Sequence, residues 1–228
     1  MQDKIKKVII GVRYRRSFRV PDIAGEIVDY VLHDESSPFD SQFFTEIGDM
    51  NNKGRVLLNQ NGNMLSVDFD SIVLTLIIDN KFDDTLKLIK EKYYPYMVNI
   101  VKQFEIKNFN RIGIIFDHQL EGSSSVNEII KSLTGQKITA PDNLELRFSK
   151  KLATTEALWK KDIIDYHNVI ATYHKNSEGL NIKLDYQTYF SPEISSINDL
   201  DFSKFIESAE DYRTKNFYSW NKTNDSKN

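Results

Sequence analysis

The chain has 228 residues, of which 40% are hydrophobic and 12% aromatic, enough to bury roughly 70% of the surface an unfolded chain exposes and to form a substantial core without covalent staples. Its net charge of −3 argues against a generally basic nucleic-acid binder and against an acidic tail protein, and the absence of cysteine excludes disulfides and thiolate metal sites. The longest apolar run, 72–78, is about a third of the roughly 20 residues that a membrane-spanning helix needs, and the start lacks the apolar stretch of a signal peptide, so the expectation is a cytoplasmic protein with no membrane partner.

In chain order, Val8, Ile10, Val12 and Tyr14 alternate with Ile9, Gly11, Arg13 and Arg15, a period of two that predicts a half-buried strand over 8–18. Pro21-Asp22 fits a helix start, and Ile23, Ile27, Val28 and Val31 carry its apolar stripe to about His33. The turn chemistry of 34–40 ends it. Three strands of an antiparallel meander are predicted at 42–49, 54–60 and 64–78, separated by 52–54 and by the hairpin signal Asn61-Gly62-Asn63. A long helix follows, with Leu86, Ile89, Tyr93, Met97, Ile100 and Phe104 at steps of three or four. Pro95 lies inside it and predicts a kink near Tyr93-Tyr94.

From Phe109 the order recurs: a strand at 109–119, a short helix at 125–134, strands at 143–152, 160–175 and 179–190, and a terminal helix from an Asn198 cap to Trp220. Both halves read β-α-β-β-β-α. The expected fold is α+β, with two such units, 1–107 and 108–220, packed as one globular body, each a curved antiparallel sheet against a long helix, related by a pseudo-twofold duplication. Residues 221–228 are expected to be a disordered tail.

Charge placement is the most unusual local feature. Four of eight arginines, Arg13, Arg15, Arg16 and Arg19, fall within seven positions, and the first 19 residues carry +6 against −9 for the rest. Arg13 and Arg15 are expected to share the outer face of the first strand, where guanidinium groups suit phosphates, although a charge run also serves simply as a solvated face. Asp68 with Asp70, and Asp165 with His167, share strand faces by parity and have the donor chemistry of a divalent-metal site, but two polar residues on an outward face are better explained by solvation. His33, His118, His167 and His174 have no zinc-ligand spacing, and no phosphate loop, nucleophile elbow or dinucleotide motif is present, so no catalytic residue, metal ligand or cofactor is assigned. Ser123-Ser-Ser125 reads as a helix cap that can also receive an anion, and Tyr93, Tyr94, Tyr96, Phe217, Tyr218 and Trp220 are candidates for stacking bases.

The strand 109–116 following a helix that contains Tyr94-Pro-Tyr96, and the ending 205–217, resemble a sporadically distributed family of uncharacterised bacterial proteins of about this length, with Ile115-Phe116 standing where that family continues Arg-Tyr. The resemblance implies no activity, only an accessory or defence-associated bacterial protein. The function expected first is therefore a non-enzymatic binding or scaffold protein that meets a protein partner through Arg13, Arg15, Arg16 and Arg19. A nucleic-acid-binding component using the same arginines comes second, and a metal-dependent nuclease at Asp68 and Asp70 third.

Overall fold

The computed structural model describes residues 3–43, 55–58, 61–78, 82–120, 123–135, 141–153, 164–177 and 179–217. Alternation organises it. Along β1 (Asp3–Tyr14), Val8, Ile10, Val12 and Tyr14 are buried whereas Arg13 is exposed, because successive side chains of an extended chain point to opposite faces. The same alternation runs through β5 (Ser71–Ile77), β6 (Phe109–Leu120) and β9 (Gly179–Ile194).

These strands join β2 (Ser41–Phe43), β3 (Arg55–Leu58), β4 (Met64–Val67), β7 (Leu144–Ala153) and β8 (Ile164–Asn176) in one antiparallel sheet of order β2-β3-β4-β5-β1-β6-β9-β8-β7. Register aligns the buried residues in rows across it, as in Leu65, Leu74, Ile10, Ile114, Tyr186 and Val169. Two separate sheets were expected. Instead, β1 pairs with β6 over almost its whole length, Gly11 opposite Gly113, so the first strand of each half closes the edge that the other would have exposed.

The helices supply the second layer. Ile27, Val28 and Val31 of α2 (Ala24–His33), which follows the single turn α1 (Arg19–Asp22), join one continuous core with the buried sheet face. So do Met97, Ile100 and Val101 of α4 (Tyr94–Gln103), Val126 and Ile130 of α5 (Ser123–Leu133), and Phe205, Ile206 and Ala209 of α6 (Phe202–Tyr212). Tyr186 of β9 meets Phe205 and Tyr212, and Tyr94 stacks on Phe202 with ring planes 4° apart, so α4 and α6 touch each other above the sheet.

The kink expected at Pro95 takes the form of a wide turn, 89–93, between α3 (Phe82–Leu88) and α4, in which the Tyr94 N–H donates to the Ile89 carbonyl five residues back. Widening the turn there lets a residue with no N–H enter the next helix in its first turn, where its donor would be unsatisfied anyway. At its far end α4 closes with Glu105 N–H donating to Lys102 O (3.1 Å) and Ile106 N–H to Val101 O (2.9 Å), the paired bonds of a Schellman motif. Glu105 holds the left-handed position (φ 51) that glycine usually fills, and Asn108 is left-handed as well (φ 64).

Several boundaries move. The predicted strand 64–78 is a hairpin, β4 and β5, turning at 68–70. Asn63 earns its place in the preceding turn differently from a simple turn former: it is buried, its Oδ1 accepts from Ile77 N–H and its Nδ2 donates to the Tyr93 hydroxyl. Asp201, not Asn198, caps the terminal helix, accepting from Lys204 N–H. Gly179 (φ 137) is obligatory at the β8–β9 turn, since a Cβ there would lie 2.7 Å from the Leu120 carbonyl oxygen. The expected strand portions 44–49, the turn 52–54, Trp220 and the tail 221–228 lie outside the described residues.

Candidate functional site

Register also aligns the residues of the opposite sheet face, and there the chemistry changes. One row reads Ser71, Arg13, Arg111, Tyr189 and Tyr166; the next reads Val73, Gly11, Gly113, Gln187 and Asn168; beyond it come Thr75, Ile9, Ile115, Asp185 and Ile170, then Ile77, Lys7, Asp117, Lys183 and Thr172. Among the described residues none of this face belongs to the buried hydrophobic core, and of those named only Gln187 is buried.

At its centre the Gly11–Gly113 pair leaves a trough. A Cβ on Gly11 would lie 3.2 Å from Val73 Cγ2 and 3.3 Å from the Ile72 carbonyl oxygen, so the strands themselves also favour glycine there. Beside the trough Tyr166 and Tyr189 lie parallel, centroids 5.1 Å apart, with the Lys151 ammonium 3.9 Å from the Tyr166 centroid and the Arg111 guanidinium 5.4 Å from that of Tyr189. Arg111 donates to the Tyr189 hydroxyl (2.9 Å), which donates to Gln187 Oε1 (2.8 Å), whose Nε2 donates to Asp185 (2.5 Å). Burial raises the Asp185 pKa above the usual carboxylate range, opposed by that amide hydrogen bond and by Arg111 and Arg147.

Among the strand side chains described, this face carries six cations, Lys7, Arg13, Arg111, Arg147, Lys151 and Lys183, against three carboxylates, Asp117, Asp185 and Glu145, with Asp70 of the adjoining turn paired to Arg13 as a fourth. Asp117 is shared between Lys7 and Lys183 at 3.9 Å each. A surplus of positive charge on one face of a chain with net charge −3 is a segregated field, of the kind that draws in polyanions.

A second feature lies at the end of the sheet on the helix side. The segment leaving β1 and the turn from α4 into β6 enclose a cleft of about 260 Å³, floored by Tyr14, Val20, Ile23, Phe104 and Ile106 and rimmed by Arg15, Arg16, Arg19 and Lys107. Arg16 lies against the Phe18–Phe69 pair, 5.2 Å from each ring centroid. Arg19 pairs with Glu105 at 3.7 Å, and the Arg15 N–H donates to the Asn108 carbonyl at 2.8 Å. Burial and then the charges of Asp68 and Asp70 drive the Tyr14 phenol pKa upward, so at the floor of the cleft Tyr14 is a neutral hydrogen-bond donor, bonded to the Asp68 carbonyl.

The four arginines singled out in the sequence are thus divided. β1 ends at Tyr14 with an irregularity in its pairing, so Arg13 stays on the open face, where it meets Asp70 at 3.5 Å, while Arg15, Arg16 and Arg19 line the cleft. Asp68 and Asp70 sit in the hairpin turn, not on a strand face: Asp68 Oδ1 accepts from Phe69 N–H (2.7 Å), and Asp70 is the partner of Arg13. His167 is buried on the covered face against Thr188 (2.8 Å), and no group of three metal-ligating side chains occurs among the described residues. Ser123-Ser-Ser125 opens α5 from inside its first turn. Tyr93 and Tyr96 are core residues and Tyr94 is taken by Phe202, whereas Tyr218 and Trp220 are outside the described residues. The aromatics of the open face are instead Tyr166 and Tyr189, which stack on each other and carry Lys151 and Arg111 on their outer sides. A signal for Tyr189 existed, because the alternation of Asn181, Lys183, Asp185 and Gln187 continues to it.

No protein-family model matches the chain, and no curated protein matches it. No helix among the described residues is long and apolar enough to cross a membrane.

Proposed function

We propose that this is a binding protein whose open sheet face receives a single strand of nucleic acid. The observation that carries the reading is the Tyr166–Tyr189 pair flanked by Lys151 and Arg111 within a face where cations outnumber carboxylates. Aromatic faces stack on unpaired bases of any sequence; here a base takes the place of Lys151 or Arg111 on an outer ring face, and the displaced cation neutralises a phosphate. A paired duplex hides its bases from such a surface, which favours a single strand. The glycine trough at Gly11 and Gly113 lets a backbone approach the sheet closely. Of the arginines expected to meet a protein partner, Arg13 lies on the open face and Arg15, Arg16 and Arg19 line the cleft.

The two halves are, in this reading, a duplicated unit, as the sequence order suggested. Support comes from the strand orders running outward from the centre, β1-β5-β4-β3 on one side and β6-β9-β8-β7 on the other, and from the meeting of Gly11 with Gly113 between them. A bound strand would then cross the junction of the two units.

The test is a titration of labelled single strands and matched duplexes in low salt. The single strand binds more tightly, and Tyr166→Ala with Tyr189→Ala removes that preference. Equal binding of strand and duplex, or a preference indifferent to both tyrosines, contradicts the reading.

A further inference from the structure

The cleft has a different chemistry from the sheet face and faces the helix side, so it calls for a ligand of its own. Three guanidinium groups and an ammonium meet one carboxylate there, and that carboxylate, Glu105, is already paired with Arg19. Neither Arg15 nor Lys107 forms an ion pair among the described residues. A compact group with close to two negative charges satisfies this rim, and a phosphomonoester carries about −1.5 to −2 at neutral pH. Guanidinium forks match its oxygens in geometry as well as charge.

The floor selects the rest of the ligand. Val20, Ile23, Phe104 and Ile106 make an apolar floor, in which the Tyr14 and Phe104 rings are buried against Phe109 and Tyr30. Inorganic phosphate would leave that floor unused and a fatty chain would outrun about 260 Å³, slightly below the range typical of drug-sized sites. Asn108 and Ser17 on the wall give an amide and a hydroxyl that both donate and accept. We propose that the cleft binds the phosphomonoester of a small ring-bearing molecule, the chemistry of a nucleoside monophosphate, supplied either as a free nucleotide or as the phosphorylated end of a strand. Arg16, resting against the Phe18–Phe69 pair, is the anchor, and Arg19 exchanges Glu105 for the phosphate. The site stands independently of the sheet face.

The test is calorimetric titration of the full chain, in about 20 mM salt, with adenosine and uridine 5′-monophosphates against adenosine and uridine. The monophosphates bind saturably and the nucleosides at least about tenfold more weakly, as expected when charge-assisted hydrogen bonds are lost. Arg15→Gln with Arg16→Gln, both exposed positions, weakens the monophosphates by a similar factor, Lys107→Gln does so from the opposite wall, and Tyr166→Ala on the sheet face leaves them unchanged. A 5′-phosphorylated strand that outbinds its unphosphorylated twin only while Arg15 and Arg16 are present assigns the phosphate to a strand end. Equal binding of the two strands beside tight monophosphate binding assigns it to a free nucleotide. Absence of monophosphate binding, or binding that the arginine and lysine variants leave intact, overturns the proposal.

Discussion

The two faces of the sheet are built from the same strands, one residue out of phase, yet they do opposite work. On the covered face Ile10, Ile114 and Tyr186 lie in register, Tyr186 against Phe205, and each residue's value is the water it excludes. On the open face Gly11, Gly113 and Gln187 are their immediate neighbours, and nothing there adds to the hydrophobic core. A β-chain with period two can therefore keep folding and recognition on separate residues, so changes on the open face alter binding while largely sparing stability. The comparison predicts a sharp asymmetry between substitutions that are adjacent in sequence.

The largest effect belongs to the covered face. Phe205→Ala, at a fully buried ring, lowers unfolding free energy by about 3–5 kcal/mol, read from the denaturant midpoint, whereas Tyr166→Ala on the open face costs about 1 kcal/mol or less. Comparable losses at both would break the division between the faces. In strand binding the order reverses: Tyr166→Ala loses about 1–3 kcal/mol, the worth of one stacked base, and Phe205→Ala loses none while folded.

A smaller effect tests the strain beside the cleft. Glu105 occupies a left-handed position at the end of α4, which costs a non-glycine residue about 1–2 kcal/mol, so Glu105→Gly stabilises the fold by about 1 kcal/mol by thermal denaturation. The loss of its ion pair with Arg19 offsets little of this, because both partners are more than half exposed. An unchanged or lowered melting temperature would show that the helix end is held there for free.

The smallest effect concerns pH. Burial raises the Asp185 pKa in the folded state, so the folded chain holds this proton more tightly than the unfolded chain does. Stability from this group is present at acid pH and falls as pH rises from the ordinary carboxylate range through the raised value. Asp185→Asn accordingly removes that fall and, by deleting a negative charge beside Arg111, strengthens strand binding at neutral pH by about two- to fivefold. Stability–pH curves of the variant and the parent that superimpose contradict the assignment.

Much of this division was legible in the alternation of β1, β6 and β9, where apolar and polar residues separate cleanly. The β4–β5 turn was not read, although it left a trace: Leu65 and Val67 are buried at odd positions and Ile72, Leu74 and Leu76 at even ones, a phase change that a continuous strand cannot make. The merging of two expected sheets into one depends on β1 meeting β6 across about a hundred residues, which leaves no local signature. For the arginines, spacing alone suggested a cluster. The end of β1 at Tyr14 separates Arg13 from its neighbours, and strand ends are set by pairing partners rather than by the strand's own residues.

The most direct test of a cationic, aromatic open face is the salt dependence of single-strand binding. If three of the six cations there contact phosphates, log affinity falls against log salt with a slope of about −2, and Arg13→Ala with Arg111→Ala reduces that slope by about one or more. Binding that is absent at about 20 mM salt, or a slope that the double variant leaves unchanged, would contradict the account.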